Sequence, residues 1–202
     1  MRVNGLPAAD RVKPSSVPAF LHNRRIGVML PLGFASGLPL ALTAGTLQAW
    51  LTVEGIDLNT IGWFSLVGAP YLLKFLWAPV MDRFTLPWLG RRRGWMFVTQ
   101  TGLMAGVAAM AVTSPSYALS ALGWLALTVA FLSASQDIVF DAYRTDLLQP
   151  HERGFGVAIW VTGYRVALLL ASSVALILAG RVGWQNTYLT MVGLMAIGLA
   201  TI

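Results

Sequence analysis

The sequence predicts an all-α integral membrane protein, and three observations carry that prediction. Hydrophobic residues make up 56% of the 202 positions and charged residues 11%, less than half the roughly 25% charged that a soluble domain carries. Apolar segments of bilayer-spanning length recur along the chain, close to the roughly 17–25 residues that cross a hydrocarbon core as helix. The basic residues gather on alternate connections between those segments, as expected where charge sets membrane topology.

The formal net charge is +6, but its basic residues flank apolar segments, so topology explains them better than nucleic acid does. There is no Cys, hence no disulfide framework, thiolate metal site or thiol nucleophile. His22 and His151 both lie outside the apolar segments, which argues against a histidine metal site or a Ser-His-Asp triad. A membrane enzyme is therefore not expected. The N-terminus lacks the short apolar core and small-residue cleavage site of a removable signal peptide.

Residues 1–25 are polar, with Pro7, Pro14 and Pro18 and a closing Arg24-Arg25 pair, and are expected to form a cytoplasmic tail. Six helices are expected after it, over residues 26–202, at about Ile26–Leu51, Thr60–Met81, Trp95–Thr113, Tyr117–Arg144, Gly156–Gly180 and Asn186–Ile202. The last stops without a polar tail, which suggests the first part of a longer protein. With the N-terminus cytoplasmic, the inner connections hold Arg2, Arg11, Lys13, Arg24, Arg25, Arg83, Arg91, Arg92, Arg93, Arg144 and Arg153. The outer loops hold only Arg181. The first helix carries Gly33, Gly37, Ala41 and Gly45 at four-residue spacing, a stripe of small residues that lets a neighbouring helix approach. Pro31 and Pro39 are expected to kink it.

The fourth segment breaks the apolar pattern. Ser133, Asp137, Asp141 and Arg144 fall along one helical stripe, with Gln136 beside it. A charge at the centre of a bilayer helix costs about 2.5–3.5 kcal/mol on the translocon scale, so such residues face a bundle interior or a watery cavity. Asp137 lies roughly 13 Å from the inner end of its helix, Lys74 roughly 12 Å and Arg165 roughly 13 Å, at about 1.5 Å per residue. Three ionisable groups on three helices at one depth read as a polar centre. Asp141 sits one turn nearer the cytoplasm.

The loop after the second helix reads Asp82-Arg83, then Gly90-Arg91-Arg92-Arg93-Gly94. It resembles the signature loop of the major facilitator superfamily, which latches the cytoplasmic side between the two halves of those carriers. Ala78 replaces the usual Gly four residues before the Asp, and Phe84 to Leu89 lengthen the gap. By this resemblance Asp82, Arg83 and Arg91, with Asp141 and Arg144, would form a cytoplasmic gate. A narrower resemblance is to the AmpG muropeptide permeases. It rests on Leu32-Gly33-Phe34-Ala35-Ser36-Gly37-Leu38-Pro39-Leu40 with Gln48-Ala49-Trp50-Leu51, on Tyr71-Leu72-Leu73-Lys74-Phe75-Leu76-Trp77-Ala78-Pro79, and on Ser135-Gln136-Asp137-Ile138-Val139-Phe140-Asp141-Ala142.

That resemblance implies a multi-pass carrier of the bacterial inner membrane. It would import N-acetylglucosaminyl-1,6-anhydro-N-acetylmuramyl peptides from periplasm to cytoplasm for peptidoglycan recycling, with a link to β-lactamase induction and β-lactam resistance. The proton gradient would drive it and no cofactor would be needed. Members carry at least twelve helices, so these six would be the N-terminal half of a major facilitator fold, built as two inverted three-helix repeats (about 26–113 and 117–202). Its partners would be the muropeptide, the bilayer and a C-terminal half, with no nucleic acid. Lys74 and Arg165 would meet substrate carboxylates. Gln136, Ser133 and Gln48 would offer hydrogen bonds, and Tyr71, Tyr164 and Trp160 flat faces for sugars. Asp137 would be the proton-coupling group, partnered by Lys74 or Arg165 when substrate is absent. A drug exporter, or a facilitator for another anion such as acetyl-coenzyme A, is the alternative; the fixed cations favour an anionic substrate.

Overall fold

A computed structural model describes residues 24–84 and 90–202, the side chain of Arg91 apart. The described residues form six helical rods and no strand. Four stretches are long and apolar enough to cross a membrane: Arg24–Val53, Arg92–Val112, Pro115–Leu147 and Arg153–Val182. Of the tail expected over residues 1–25, positions 1–23 lie outside the described residues, and Arg24 and Arg25 already belong to helix.

The first rod comprises α1 (Arg24–Gly27), α2 (Met29–Thr43) and α3 (Gly45–Val53). Its interruptions fall at Val28 and Ala44. Pro31 follows the first by three residues; the ladder runs through Val28, and the proline's missing N–H leaves the Gly27 carbonyl without its usual donor. Helix runs through Pro39, and the break comes at Ala44, whose φ of −101° and ψ of −106° leave the helical region.

The second rod corrects the expectation of one continuous helix. It runs as α4 (Leu58–Phe64), a 3₁₀ turn (Ser65–Gly68), α5 (Ala69–Leu73), a second 3₁₀ turn (Lys74–Leu76) and α6 (Ala78–Arg83). Pro70 and Pro79 each open one of the later α pieces. A proline ring clashes with the carbonyl four residues back and removes a donor, so the turn before it tightens. Lys74 therefore stands on the tightened turn that precedes Pro79.

Asp57 starts this rod as its N-cap, accepting the Thr60 N–H at 3.1 Å. Hydrogen bonds from Thr60 hold the Asp57 carboxyl below its ordinary 3.8. Because the folded value is the depressed one, the cap stabilises fully above 3.8 and is lost as pH falls through the folded value. Asp57→Ala is expected to lower the melting temperature at pH 7. The difference from wild type should vanish once pH is well below 3.8, which thermal melts at the two pH values check.

The third rod is α7 (Arg91–Val112) and the fourth is α8 (Pro115–Leu147), which is kinked at Ala118. The fifth joins α9 (Arg153–Leu169) to α10 (Ala175–Val182) through a π-helical stretch at Leu170–Val174. There Thr46 donates its hydroxyl to the Ala171 carbonyl at 2.6 Å, a lateral bond of the kind that widens a helical ladder. Gly183, at φ 82°, makes the tight corner into the sixth rod, α11 (Trp184–Thr201); only glycine adopts that conformation freely.

The first rod is central and packs against the fourth, fifth and sixth; the third packs against the fourth and sixth, and the second against the fourth. The small-residue stripe does what its spacing suggested, but only in part. A Cβ at Gly33 would run into the Trp160 carbonyl, and one at Gly37 would meet the Tyr164 carbonyl at 2.7 Å. Gly163 answers from the fifth rod against Leu30. Gly45 has nothing near it. Towards one end, Trp50 stacks on Trp184 at 5.8 Å, and the fully buried Tyr188 donates its hydroxyl to the Leu42 carbonyl at 2.9 Å.

Candidate functional site

The polar centre forms where the second, fourth and fifth rods meet the first. Asp137, partly buried on α8, accepts a hydrogen bond from the Ser36 hydroxyl at 2.6 Å. Ser36 is itself buried on α2, held there because Gly33 and Gly37 on either side let the fifth rod close in. Lys74 lies within electrostatic reach of Asp137 but forms no ion pair with it within 4.0 Å among the described residues. An unclosed Lys–Asp couple leaves both groups available to something arriving between them.

Tyr71 and Tyr164 are also in electrostatic reach of Asp137. The Tyr71 hydroxyl lies beside those of Ser133 and Thr43, yet neither the Tyr71 nor the Ser133 hydroxyl has a partner in good hydrogen-bond geometry. Tyr164 stacks on Trp160, with ring centroids 5.5 Å apart and planes at 17°. The Arg144 guanidinium sits 5.0 Å above the Trp160 ring and pairs with Asp141 at 2.8 Å. A chain of polar and aromatic groups thus runs from Ser36 and Asp137 through Tyr164 and Trp160 to Arg144.

Gln136 and Gln48, expected here, are elsewhere, and Arg165 touches none of the groups above. Gln136 is fully buried and donates its amide to Gln100 Oε1 at 2.5 Å; Gln100 in turn donates to the Met195 carbonyl at 2.7 Å. One residue from Asp137 is about 100° around a helix, and that rotation carries Gln136 into the packing of the third, fourth and sixth rods. Arg165 is exposed, turned by the same 100° from Tyr164. Gln48 lies twelve residues beyond Ser36, roughly 18 Å along the rod, beside Ser65 at 3.5 Å. Depth alone cannot tell which way a side chain faces.

At the connection between the second and third rods, Arg92 bridges Asp82 at 2.5 Å and Asp146 at 3.2 Å, tying the second, third and fourth rods. Arg83, expected in that role, is exposed without a hydrogen bond or ion pair among the described residues. The side chain of Arg91 lies outside the described residues. Sequence reasoning also missed Ser36 and Trp77, whose indole donates to Ser135 Oγ at 3.0 Å and pins the second rod to the fourth beside Lys74.

A profile of the Major Facilitator Superfamily matches residues 29–202. The chain belongs to that superfamily. It is 56% identical over 172 residues to the anhydromuropeptide permease of Escherichia coli strain K12, covering 85% of this chain and 35% of that protein. A protein of Haemophilus influenzae described as uncharacterized is 38% identical over 175 residues, 87% of this chain and 41% of its own. The putative transporter AmpG 1 of Rickettsia conorii is 34% identical over 183 residues, 89% of this chain and 44% of its own. This facilitator chain thus spans between a third and a half of the length of these relatives. It is a multi-pass membrane protein.

Proposed function

We propose that the chain is the N-terminal half of a proton-coupled importer of anhydromuropeptides, N-acetylglucosaminyl-1,6-anhydro-N-acetylmuramyl peptides, in the bacterial inner membrane. The observation that carries this reading is the open Lys74–Asp137 couple beside the Trp160–Tyr164 platform, in a chain so similar to an anhydromuropeptide permease. A muropeptide brings carboxylates, hydroxyls and sugar faces. Lys74 supplies a cation for a stem carboxylate, Ser133 and Tyr71 supply hydroxyls, and the stacked rings supply a flat apolar surface.

Coupling follows from competition. Without substrate, Lys74 and the Ser36 hydroxyl stabilise charge on Asp137. A substrate carboxylate that takes up Lys74 removes one of those supports, and Asp137 binds a proton. The neutral site can then reorient, and loss of the proton on the inner side restores the couple and releases substrate. Ser36 and Asp137 come from rods that must keep register for this, while the Arg92 bridge to Asp82 and Asp146 latches the inner end. Arg144 and Asp141 belong to the inner gate on this reading and touch the platform through Trp160.

The packing pattern supports two inverted three-helix repeats. Exchanging rods 1, 2, 3 with 4, 5, 6 turns the 1–5 contact into 4–2 and the 3–4 contact into 6–1, and leaves 1–4 and 3–6 in place. The charge distribution supports an inward N-terminus. A C-terminal half would complete the cavity, and imported muropeptides would feed peptidoglycan recycling and the signal that induces β-lactamase.

Uptake of labelled anhydromuropeptide into vesicles containing the full-length protein tests this reading, with acetyl-coenzyme A as the competing anion. Lys74→Gln is expected to raise the muropeptide KM about 10- to 100-fold, the effect of losing one hydrogen bond to a charged group. A preference for acetyl-coenzyme A, or an unchanged KM in Lys74→Gln, would overturn the substrate assignment.

A further inference from the structure

We propose that Trp77 is a positioning residue for Lys74. Through Ser135 it sets the register of the second rod on the fourth and holds the ammonium clear of Asp137, open to a substrate carboxylate. The inference rests on the reading of Lys74 as the cation that receives that carboxylate.

Lys74 has little else to hold it. It opens the 3₁₀ turn Lys74–Leu76 between α5 and α6, where the i→i−4 ladder that stiffens an α-helix gives way to weaker i→i−3 bonds. Leu72, Leu73, Phe75 and Leu76 around it are all exposed. The turn has no buried residue, so no packed side chain of its own fixes its roll.

Trp77 closes the turn and donates its backbone N–H to the Lys74 carbonyl. Residues three apart eclipse in a 3₁₀ turn, so the two side chains leave the rod on one side. The indole then grips the fourth rod at two points. Its Nε1 donates to Ser135 Oγ at 3.0 Å, and its ring meets Phe131 with centroids 4.8 Å apart. Phe131 and Ser135 are four apart on α8 and so share a face. Ser135 is buried and donates in turn to the Phe131 carbonyl at 2.8 Å. It comes two residues before Asp137. A shift of Trp77 therefore moves Lys74 relative to the stretch that carries the carboxylate.

Direction turns this grip into a register. Glu54, just ahead of the second rod, accepts the hydroxyl of Ser116 at the start of the fourth at 2.8 Å. At the opposite end Arg92 bridges Asp82 and Asp146. The second and fourth rods thus run the same way. Trp77 lies beyond Lys74, whereas its partner Ser135 lies before Asp137. Lys74 stands roughly 6 Å before Trp77 at about 2.0 Å per residue, and Asp137 roughly 3 Å past Ser135 at about 1.5 Å per residue. The grip therefore sets the ammonium short of the carboxylate along the common axis. That offset matches a pair in electrostatic reach that closes no ion pair within 4.0 Å among the described residues. Without the indole bond the turn can slide, and a Lys74 that reaches Asp137 is no longer open to substrate.

Muropeptide uptake into vesicles containing the full-length protein tests the inference through paired variants. Trp77→Phe keeps the ring against Phe131 and loses the N–H donor. It is expected to raise the KM about fivefold, the effect of one neutral hydrogen bond. Ser135→Ala removes the same bond from the other side and should act alike, and the double variant should be no worse than either single one. The decisive background is Lys74→Gln: there Trp77→Phe should change the KM no further, because it acts through Lys74. A merely structural tryptophan would multiply its effect on that of Lys74→Gln, and that result overturns the inference while leaving the substrate reading intact. An unchanged KM in both Trp77→Phe and Ser135→Ala overturns it too. An unchanged KM in Lys74→Gln itself instead removes the substrate reading, and the inference with it. Ser135→Ala keeps the test open if Trp77→Phe fails to fold.

Discussion

Vesicles containing the full-length protein with Asp137→Asn are expected to lose proton-driven accumulation of anhydromuropeptide while keeping counterflow. Asn fills nearly the same volume and still accepts the Ser36 hydrogen bond, which is 2.6 Å long in the wild type, but it cannot gain or lose a proton. A carrier that moves one proton per substrate draws about 1.4 kcal/mol from each pH unit of gradient, or tenfold in concentration. Under a gradient of about two units the accumulation ratio should therefore fall about a hundredfold. Counterflow needs only binding and reorientation, both open to a permanently neutral side chain. Ser36→Ala keeps the carboxyl and should retain coupling with an altered pH profile. If Asp137→Asn still accumulates substrate along the pH gradient, Asp137 is not the coupling group. If the variant never reaches the membrane, its carboxylate serves packing instead.

What could be read from the sequence was what periodicity and polarity determine. The helical class followed from composition, and Asp137 stood out because a carboxylate inside an apolar helix needs a local reason. Lys74 followed from depth and is found in reach of it; Trp160 and Tyr164 followed from their spacing and do stack. Facing was less legible. Gln136 shares the depth of Asp137 but points into the packing against Gln100, because a rotation of about 100° per residue decides facing and its rod has no one-sided apolar pattern to fix its roll. Ser36 was hidden for another reason: a serine among small residues looks like packing until its partner 101 positions away is known. Two misses were avoidable. Pro70 and Pro79 announce the broken second rod, and the run Arg91-Arg92-Arg93 offered three candidates for the ion pairs that Arg92 makes.

Gly33→Ala is expected to destabilise the protein far more than Gly45→Ala, although both glycines belong to one stripe. An added Cβ at position 33 collides with the Trp160 carbonyl and comes within 2.9 Å of the carbonyl carbon. Backbone cannot swing aside as a flexible side chain can, so the first and fifth rods must separate. Overpacking of this kind costs about 1–3 kcal/mol. At position 45 nothing lies within 4 Å, and alanine should be neutral or stabilising by up to about 1 kcal/mol from helix propensity. Gly163→Ala meets the Leu30 carbonyl from the opposite side and should resemble Gly33→Ala. The double variant should cost less than the sum, because one separation of the rods relieves both collisions. Melting temperatures of the purified variants check all four expectations; equal effects at positions 33 and 45 would dismiss the close approach. The consequence reaches the polar centre. Trp160 and Tyr164 are carried on the fifth rod and Ser36 on the first, so moving the rods apart draws the aromatic platform away from Asp137. A Gly33→Ala protein that still folds should therefore bind muropeptide more weakly while remaining coupled, the opposite of the Asp137→Asn phenotype.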